Sequence, residues 1–509
     1  MKRRDLLRLG ATVSAGAAAG LLQGPLPGAS RRATPVPGMT PASKASEGIR
    51  ARNIIFFAYD GTGYEDLATA SFFARSLGRS PLHFENLLGM GRSGLMRPES
   101  LTSVVTDSAA ATTAWATGQR VVNGALSMHI DERELVPILH LAKDRGMATG
   151  LVTSTRITHA TPAGWIARVP SRGMEDEIAA QYLDFEPDIL MGGGAGRFQA
   201  EMRSDGRDLL GEFRQAGYEV LRTPAELAAS TGDRVLGLFS EGTRHLPFEV
   251  DRVNRGVESP SLADLTFSAL QRLEGAGRGF VLQVEAGRID HANHHNDPAG
   301  MVGDWMAAEE ALEVVLRHVA RNPDTLLIAV PDHDTGGGVT YGIGRRYTHS
   351  TPALASLHRR QASLEWLLRD GLPRNPDPTT VAAGVEEYLG LPLASRRAEQ
   401  ISAVLAGERP EEWDWGHPNA QGSRNNRVGH LLSISDETPP VQRANINFAT
   451  GAHTGGFVPL VLHGAGATQG NLGVIDNTEL FRIMTDALGF RYENPAMDPR
   501  AAREAETSD

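Results

Sequence analysis

Several short stretches of this 509-residue chain crowd together side chains capable of metal and phosphate chemistry. The run from Glu285 to His295 packs two carboxylates, Glu285 and Asp290, and three imidazoles, His291, His294 and His295, into eleven positions. A lone histidine there would be an ordinary polar residue, but this density after a buried apolar run favours ligands. Asp290 and His294 stand four apart, so one helical turn directs both at the same ion. Asp332 and His333 precede Asp334, Thr335 and three glycines, a pattern that serves either a turn or a metal site. His453 lies in a second glycine-rich stretch, where a ligand and a plain loop histidine are both open readings. Ser108 follows Asp107 at the start of an alanine-rich helical pattern. Taken alone it reads as a helix cap. The same place also offers a phosphate free backbone N–H groups and the positive end of a helix dipole, and a serine whose pKa a metal lowers can attack phosphorus without a histidine base. His159, Thr161 and Arg172 add an imidazole, a hydroxyl and a guanidinium. The planar fork of an arginine matches two phosphate oxygens, although most arginines are merely solvated.

These residues need a scaffold that brings them to one place. Apolar runs at 53–59, 148–153, 235–239, 279–284, 325–330 and 457–462 read as buried strands, and amphipathic stretches at 135–143, 261–273, 305–319 and 478–488 read as helices between them. That alternation predicts an α/β fold with a mostly parallel central β-sheet flanked by helices. Ligands of such sheets gather outside the carboxyl ends of the strands. Asp60, Glu285 and Asp332 each fall at the end of an expected strand. Three carboxylates meeting at one sheet edge repel one another unless cations are present, which is itself a pointer to metal. Residues 345–449 break the rhythm with Pro- and Arg-rich sequence and read as an inserted cap carrying a helical pair near 380–388 and 395–405.

Composition narrows the function. Hydrophobic residues at 41% and charged residues at 22% suit a folded, enzyme-sized protein. A net charge of −11 disfavours specific nucleic-acid binding and requires local positive charge to attract an anionic substrate. With no cysteine, any metal must rest on His, Asp, Glu, Thr or water. Lys2, Arg3 and Arg4 precede a short apolar, Ala- and Gly-rich stretch. Basic, apolar and small-residue zones in that order read as an export signal over residues 1–30, with a twin-arginine character and no stable membrane anchor after its removal. A flexible lead-in over 31–50, a catalytic domain over 51–490 and a polar tail over 491–509 complete the expected organisation.

Together the segments resemble the alkaline phosphatase family, from about residue 53 to residue 489. The match rests on the Asp-Gly-Thr-Gly turn at Asp60, the Thr-Asp-Ser-Ala-Ala segment at Ser108 and the His-Ala-Thr-Pro-Ala segment at Thr161. It continues through Val-Glu-Ala-Gly-Arg-Ile-Asp-His, which holds Glu285 to His291 after Val284, Asp-His at Asp332, Ala-His-Thr-Gly at His453 and Asp-Asn-Thr-Glu at Asp476. The resemblance implies a phosphomonoesterase that uses two Zn2+ ions and a third metal, usually Mg2+, to form and hydrolyse a phosphoserine on Ser108. It assigns Asp290, His294 and His453 to the first zinc and Asp60, Asp332 and His333 to the second. Asp60, Thr161 and Glu285 go to the third metal, and Arg172, tuned by Asp107, goes to the phosphate. Some relatives carry Asp and Lys where this chain has His159 and His291, and others carry His at both. Two imidazoles beside the third site suit Zn2+ or Co2+ better than Mg2+, which prefers oxygen. Small phosphate monoesters are the implied substrates, in a periplasmic or extracellular setting, and the insertion could shape substrate access or a homodimer contact. Two rivals remain at this level. One is a phosphodiesterase or sulfatase of the same superfamily; the other is an exported metal- or phosphate-binding protein without turnover.

Overall fold

The computed structural model describes residues 50–410, 417–433, 444–467 and 470–507. Its strands in chain order are β1 (Asn53–Ala58), β2 (Arg92–Arg97), β3 (Ala148–Arg156), β4 (Ile189–Gly193), β5 (Glu219–Leu221), β6 (Val235–Leu238), β7 (Phe280–Glu285) and β8 (Thr325–Val330). Four short strands follow, β9 (Asp334–Thr335), β10 (Gly338–Thr340), β11 (Ile446–Phe448) and β12 (His453–Thr454), and then β13 (Val458–Gly464) and β14 (Gly470–Asp476). Ten of them form one sheet in the order β14-β2-β13-β8-β1-β7-β3-β4-β6-β5, while β10 pairs with β11 and β12 with β9. Within the large sheet only β13 runs antiparallel to its neighbours. The mostly parallel α/β architecture is the one expected from the sequence.

The central strands β1, β7 and β8 are apolar along nearly their whole length because both faces of the sheet are covered. Ile54, Phe56 and Ala58 pack into one core with Trp115 and Trp165, whose rings lie 4.8 and 4.9 Å from Phe56. Ile55, Phe57 and Tyr59 point the other way into a second core, where Tyr59 stacks on Trp305 at 4.9 Å. Trp305 belongs to the long helix Pro298–Arg321, which starts earlier than its hydrophobic pattern suggests. Asp297 caps that helix by accepting from the backbone N–H groups of Ala299 and Gly300, and proline fills its first position.

The cap carries a third hydrophobic core, built from the helices Pro378–Leu389, Ser395–Leu405 and Arg424–Ser433. Buried carboxylates fasten it to the sheet domain. Asp251 accepts from the Ser363 backbone N–H at 2.7 Å and its hydroxyl at 2.6 Å, Asp297 accepts from the Leu364 N–H at 2.7 Å, and Arg288 donates to Glu365 at 2.9 Å. The C-terminal segment expected as a polar tail is partly packed. Asn494 is buried and donates to the carbonyls of Thr117 and Val136, and helix Pro499–Glu506 buries Ala502 beside Ala110 and Val121. The expected signal and most of the lead-in lie outside the described residues. Among the described residues, no helix is long and apolar enough to cross a membrane.

Candidate active site

Parallel strands share one carboxyl edge, so the residues just after β1, β3 and β8 and the last residue of β7 meet there. They are Asp60, His159 with Thr161, Asp332 with His333, and Glu285. The antiparallel β13 begins at this same edge, which brings in His453 from the short strand β12 just before it. At Gly61, φ is +69° and a Cβ would stand 2.5 Å from the Asp290 Cα. Only glycine lets the turn after Asp60 lie against the Asp290 backbone.

Ser108 is the first residue of helix Ser108–Thr117 and is buried. The cap itself is Asp107, whose Oδ1 accepts from the Ala110 N–H at 3.0 Å. This frees the serine hydroxyl from capping, and its Oγ lies 3.2 Å from His333 Nε2. Asp107 Oδ2 accepts from Arg172 Nη1 at 3.0 Å, and Arg172 Nη2 lies 3.0 Å from His159 Nε2. The guanidinium is thereby held beside the serine with its planar fork oriented.

Around this pair the structure gathers three sets of ligand-type groups, each with its donor atoms within 4.8 Å of one another: Asp290 with His294 and His453, Asp60 with Asp332 and His333, and Asp60 with His159 and Glu285. In the first set, His294 Nε2 lies 3.3 Å from Asp290 Oδ2 and 3.1 Å from His453 Nε2. The opposite ring nitrogens donate to carbonyls: His294 Nδ1 to Gly451 at 2.7 Å and His453 Nδ1 to Thr106 at 2.8 Å. Those bonds place the proton on Nδ1 and leave an Nε2 lone pair aimed inward, as a metal-binding imidazole requires. In the second set, His333 Nε2 lies 3.0 Å from Asp332 Oδ2 and 3.9 Å from Asp60 Oδ1, while Asp332 Oδ1 accepts from the backbone N–H of Gly61 at 2.9 Å. In the third, His159 Nδ1 lies 4.0 Å from Glu285 Oε1, Thr161 Oγ1 donates to Asp60 Oδ2 at 3.1 Å, and Thr153 Oγ1 donates to Glu285 Oε2.

The residues fit divalent cations on a further observation. Asp60 Oδ1, Glu285 Oε1 and His159 Nδ1 are buried, and none has a hydrogen-bond partner. A buried polar atom left unmatched costs about 1–3 kcal/mol, more for a charge, so converging atoms of this kind call for a cation. Electrostatics agree. Burial, followed by the charges of Asp332, Asp290 and Glu285, pushes the Asp60 carboxyl well above the usual carboxylate range, and burial lifts Glu285 to about 7. The mixed nitrogen and oxygen donors suit Zn2+ in the first two sets.

His291, expected as a neighbour of the third metal, has its ring 5.4 Å from that of His159. It belongs to none of the three sets. Its Nδ1 faces Arg288 Nη1 at 2.9 Å and its ring lies 4.2 Å from that of His245. On helix Arg288–His294, Asp290 and His294 share a face because they are four apart. His291 is rotated about 100° from Asp290 and instead shares a face with Arg288. Sequence reasoning also passed over His245, an isolated histidine with no spacing signal, whose Nε2 lies 2.7 Å from Arg156 Nη1. Thr335 was likewise missed; its hydroxyl donates to Asp290 Oδ1 at 2.7 Å. Asp476, from the last motif, pairs with Arg97 and Arg120 at 3.1 Å each rather than with any of these sets.

Comparison with known proteins adds an independent line. The family model for alkaline phosphatase matches residues 51–490. The chain is 30% identical over 455 residues to alkaline phosphatase 4 of Bacillus subtilis, covering 87% of this chain and 90% of that one. Its fold is similar to the crystal structure of Thermus thermophilus alkaline phosphatase, with a TM-score of 0.87, 41% identity and coverage of 92% and 97% of the two chains. It is also similar to a cold-active alkaline phosphatase from Shewanella sp., with a TM-score of 0.68, 28% identity and coverage of 86% and 99%.

Proposed function

The chain belongs to the alkaline phosphatase family and hydrolyses phosphate monoesters, and we propose that Ser108 is the nucleophile of that reaction. The observation that carries this reading is the position of the Ser108 hydroxyl: at a helix N-terminus, 3.2 Å from His333 Nε2, and beside the guanidinium that Asp107 holds. Asp290, His294 and His453 would hold one Zn2+ ion, and Asp60, Asp332 and His333 a second. Asp60, Glu285, Thr161 and His159 would hold a third ion, Mg2+, Co2+ or Zn2+. Ions bound there supply Lewis-acid stabilisation of charge on the attacking and leaving oxygens and lower the pKa of a hydroxyl or water.

The chain's own groups do the rest. Arg172 presents two N–H donors to a phosphate, and the free N–H groups at the start of helix Ser108–Thr117 favour its negative charge. Ser108 Oγ gives up its proton to solvent and attacks phosphorus, the bond from phosphorus to the ester oxygen breaks, and the alcohol leaves with a proton from solvent. Water then attacks the phosphoserine, the Oγ–P bond breaks, inorganic phosphate departs and Ser108 regains its proton.

Ser108→Ala should reduce kcat/KM on a chromogenic phosphate monoester by at least about 10³-fold, with the thermal transition of the metal-loaded protein unchanged. Near-wild-type turnover by that variant would remove Ser108 from the reaction. The purified enzyme should also prefer monoesters over diesters; the reverse preference would favour the phosphodiesterase reading.

A further inference from the structure

The inserted cap reaches the first ligand set through asparagines that the reaction itself does not use. Asn296 lies two residues past the end of helix Arg288–His294, and its φ of +54° places it in the left-handed region, a conformation that asparagine tolerates better than most residues. Its side chain is buried at 1% exposure. In the amide orientation that satisfies its neighbours, Nδ2 donates to the carbonyls of Thr450 at 3.0 Å and Asn293 at 3.1 Å. Oδ1 accepts from Asn419 Nδ2 at 3.0 Å and Asn426 Nδ2 at 3.2 Å. Asn426 Nδ2 also lies 3.3 Å from Asn419 Oδ1. Asn419 and Asn426 come from the cap, and both are buried.

Thr450 precedes Gly451, whose carbonyl accepts from His294 Nδ1 at 2.7 Å, and His453 follows two residues later. The cap asparagines therefore hold Asn296, and Asn296 holds the carbonyl next to the one that sets the tautomer and tilt of His294. Two glycines allow the approach: a Cβ at Gly429 would collide with the His295 carbonyl oxygen, and one at Gly451 with the Asn426 side chain. Buried amides converging on one short loop make a costly arrangement for simple filling, because each donor and acceptor must be matched.

We infer that Asn296, Asn419 and Asn426 are positioning residues that make the cap a support for His294 and His453. The inference rests on the reading of Asp290, His294 and His453 as a metal triad. Outer partners of metal-binding imidazoles typically change metal affinity by about 10–100-fold.

The test uses the full zinc-loaded chain. Asn296→Gly tolerates the left-handed backbone and removes the whole side chain with its amide; Asn426→Ala and Gly429→Ala disturb the bridge from the cap side. Zinc release to a colorimetric chelator is followed, along with the thermal transition of zinc-loaded and metal-free protein. The expected result is release of one zinc equivalent about 10–100-fold faster than from wild type, with a larger loss of Tm in the loaded form than in the metal-free form. Equal Tm losses in both forms with wild-type release rates, in whichever of the three variants folds, would overturn the inference and leave the asparagines a structural role. His294→Ala serves as the control. If it costs no zinc equivalent, the metal-triad reading itself fails; if it costs one while the bridge variants release normally, only the inference fails.

Discussion

At the scale of single residues, the choice of His159 is the most specific chemical feature of the site. Its Nδ1 is buried and unpartnered beside Asp60 and Glu285, so the third ligand set offers nitrogen as well as oxygen, a mixture that suits Zn2+ or Co2+ better than a hydrated Mg2+ ion. Stripped protein reconstituted with Zn2+ plus Co2+ should recover activity at least as well as with Zn2+ plus Mg2+, and His159→Asp should move the preference toward Mg2+. His291→Lys alone should move it less, since His291 packs against the His159 ring at 5.4 Å but belongs to none of the ligand sets. Initial rates for each metal pair on a phosphate monoester check this. A Mg2+ preference in the unaltered chain that His159→Asp leaves unchanged would separate His159 from the site. Among individual residues, the ligands were legible in the sequence because they stand in dense, ordered motifs. His245 and Asn296 were not, because an isolated histidine or asparagine carries no spacing signal and acquires its role only from the packing of distant segments.

At the scale of elements, strand direction accounts for the convergence of the site, and a few buried charges account for the docking of the cap. Arg288 is 1% exposed and its guanidinium covers the Phe248 ring, with Glu365 of the cap as its ionic partner. Burial works against the charge on Glu365, but Arg288 beside it outweighs this and holds the carboxyl down at about 2. A carboxyl near 4.3 in the unfolded chain and near 2 in the folded one stabilises the protein fully above that unfolded value, and the contribution disappears as the pH falls toward 2. Glu365→Gln should therefore cost about 3 kcal/mol at neutral pH and progressively less between pH 4 and pH 2. Denaturant unfolding of both metal-free proteins across that range measures the difference, and a pH-independent gap would exclude the ion pair as its source. The central strands and most helices were readable from their hydrophobic pattern. Strands β2, β4, β5 and β14 were not among those read: β5 is only three residues long, and β2 and β14 are partly exposed and lack a continuous apolar run. The packed C-terminal segment escaped for a related reason, since a single buried alanine and a buried asparagine leave a polar-looking sequence.

At the scale of the whole molecule, the acidic chain brings the Arg172 guanidinium and three sets of ligand-type groups to one sheet edge and carries a basic, then apolar, N-terminal stretch outside the described residues. We propose that it is exported folded and metal-loaded by the twin-arginine route, because Arg3 and Arg4 precede the apolar zone and a chain with no cysteine needs no oxidising compartment to fold. Replacing both arginines with lysine should retain phosphatase activity inside the cell; unchanged export would point to another route.

The phosphoryl group should pass through a covalent bond to one oxygen atom, Ser108 Oγ. The metal-loaded enzyme is mixed with a phosphate monoester, quenched in acid within the first turnovers, digested, and its phosphopeptides are mapped by mass spectrometry. The expected result is a single phosphoserine at Ser108, absent in Ser108→Ala. Substantial turnover with no phosphoserine trapped at any time, or with the phosphoryl group on another residue, would contradict it.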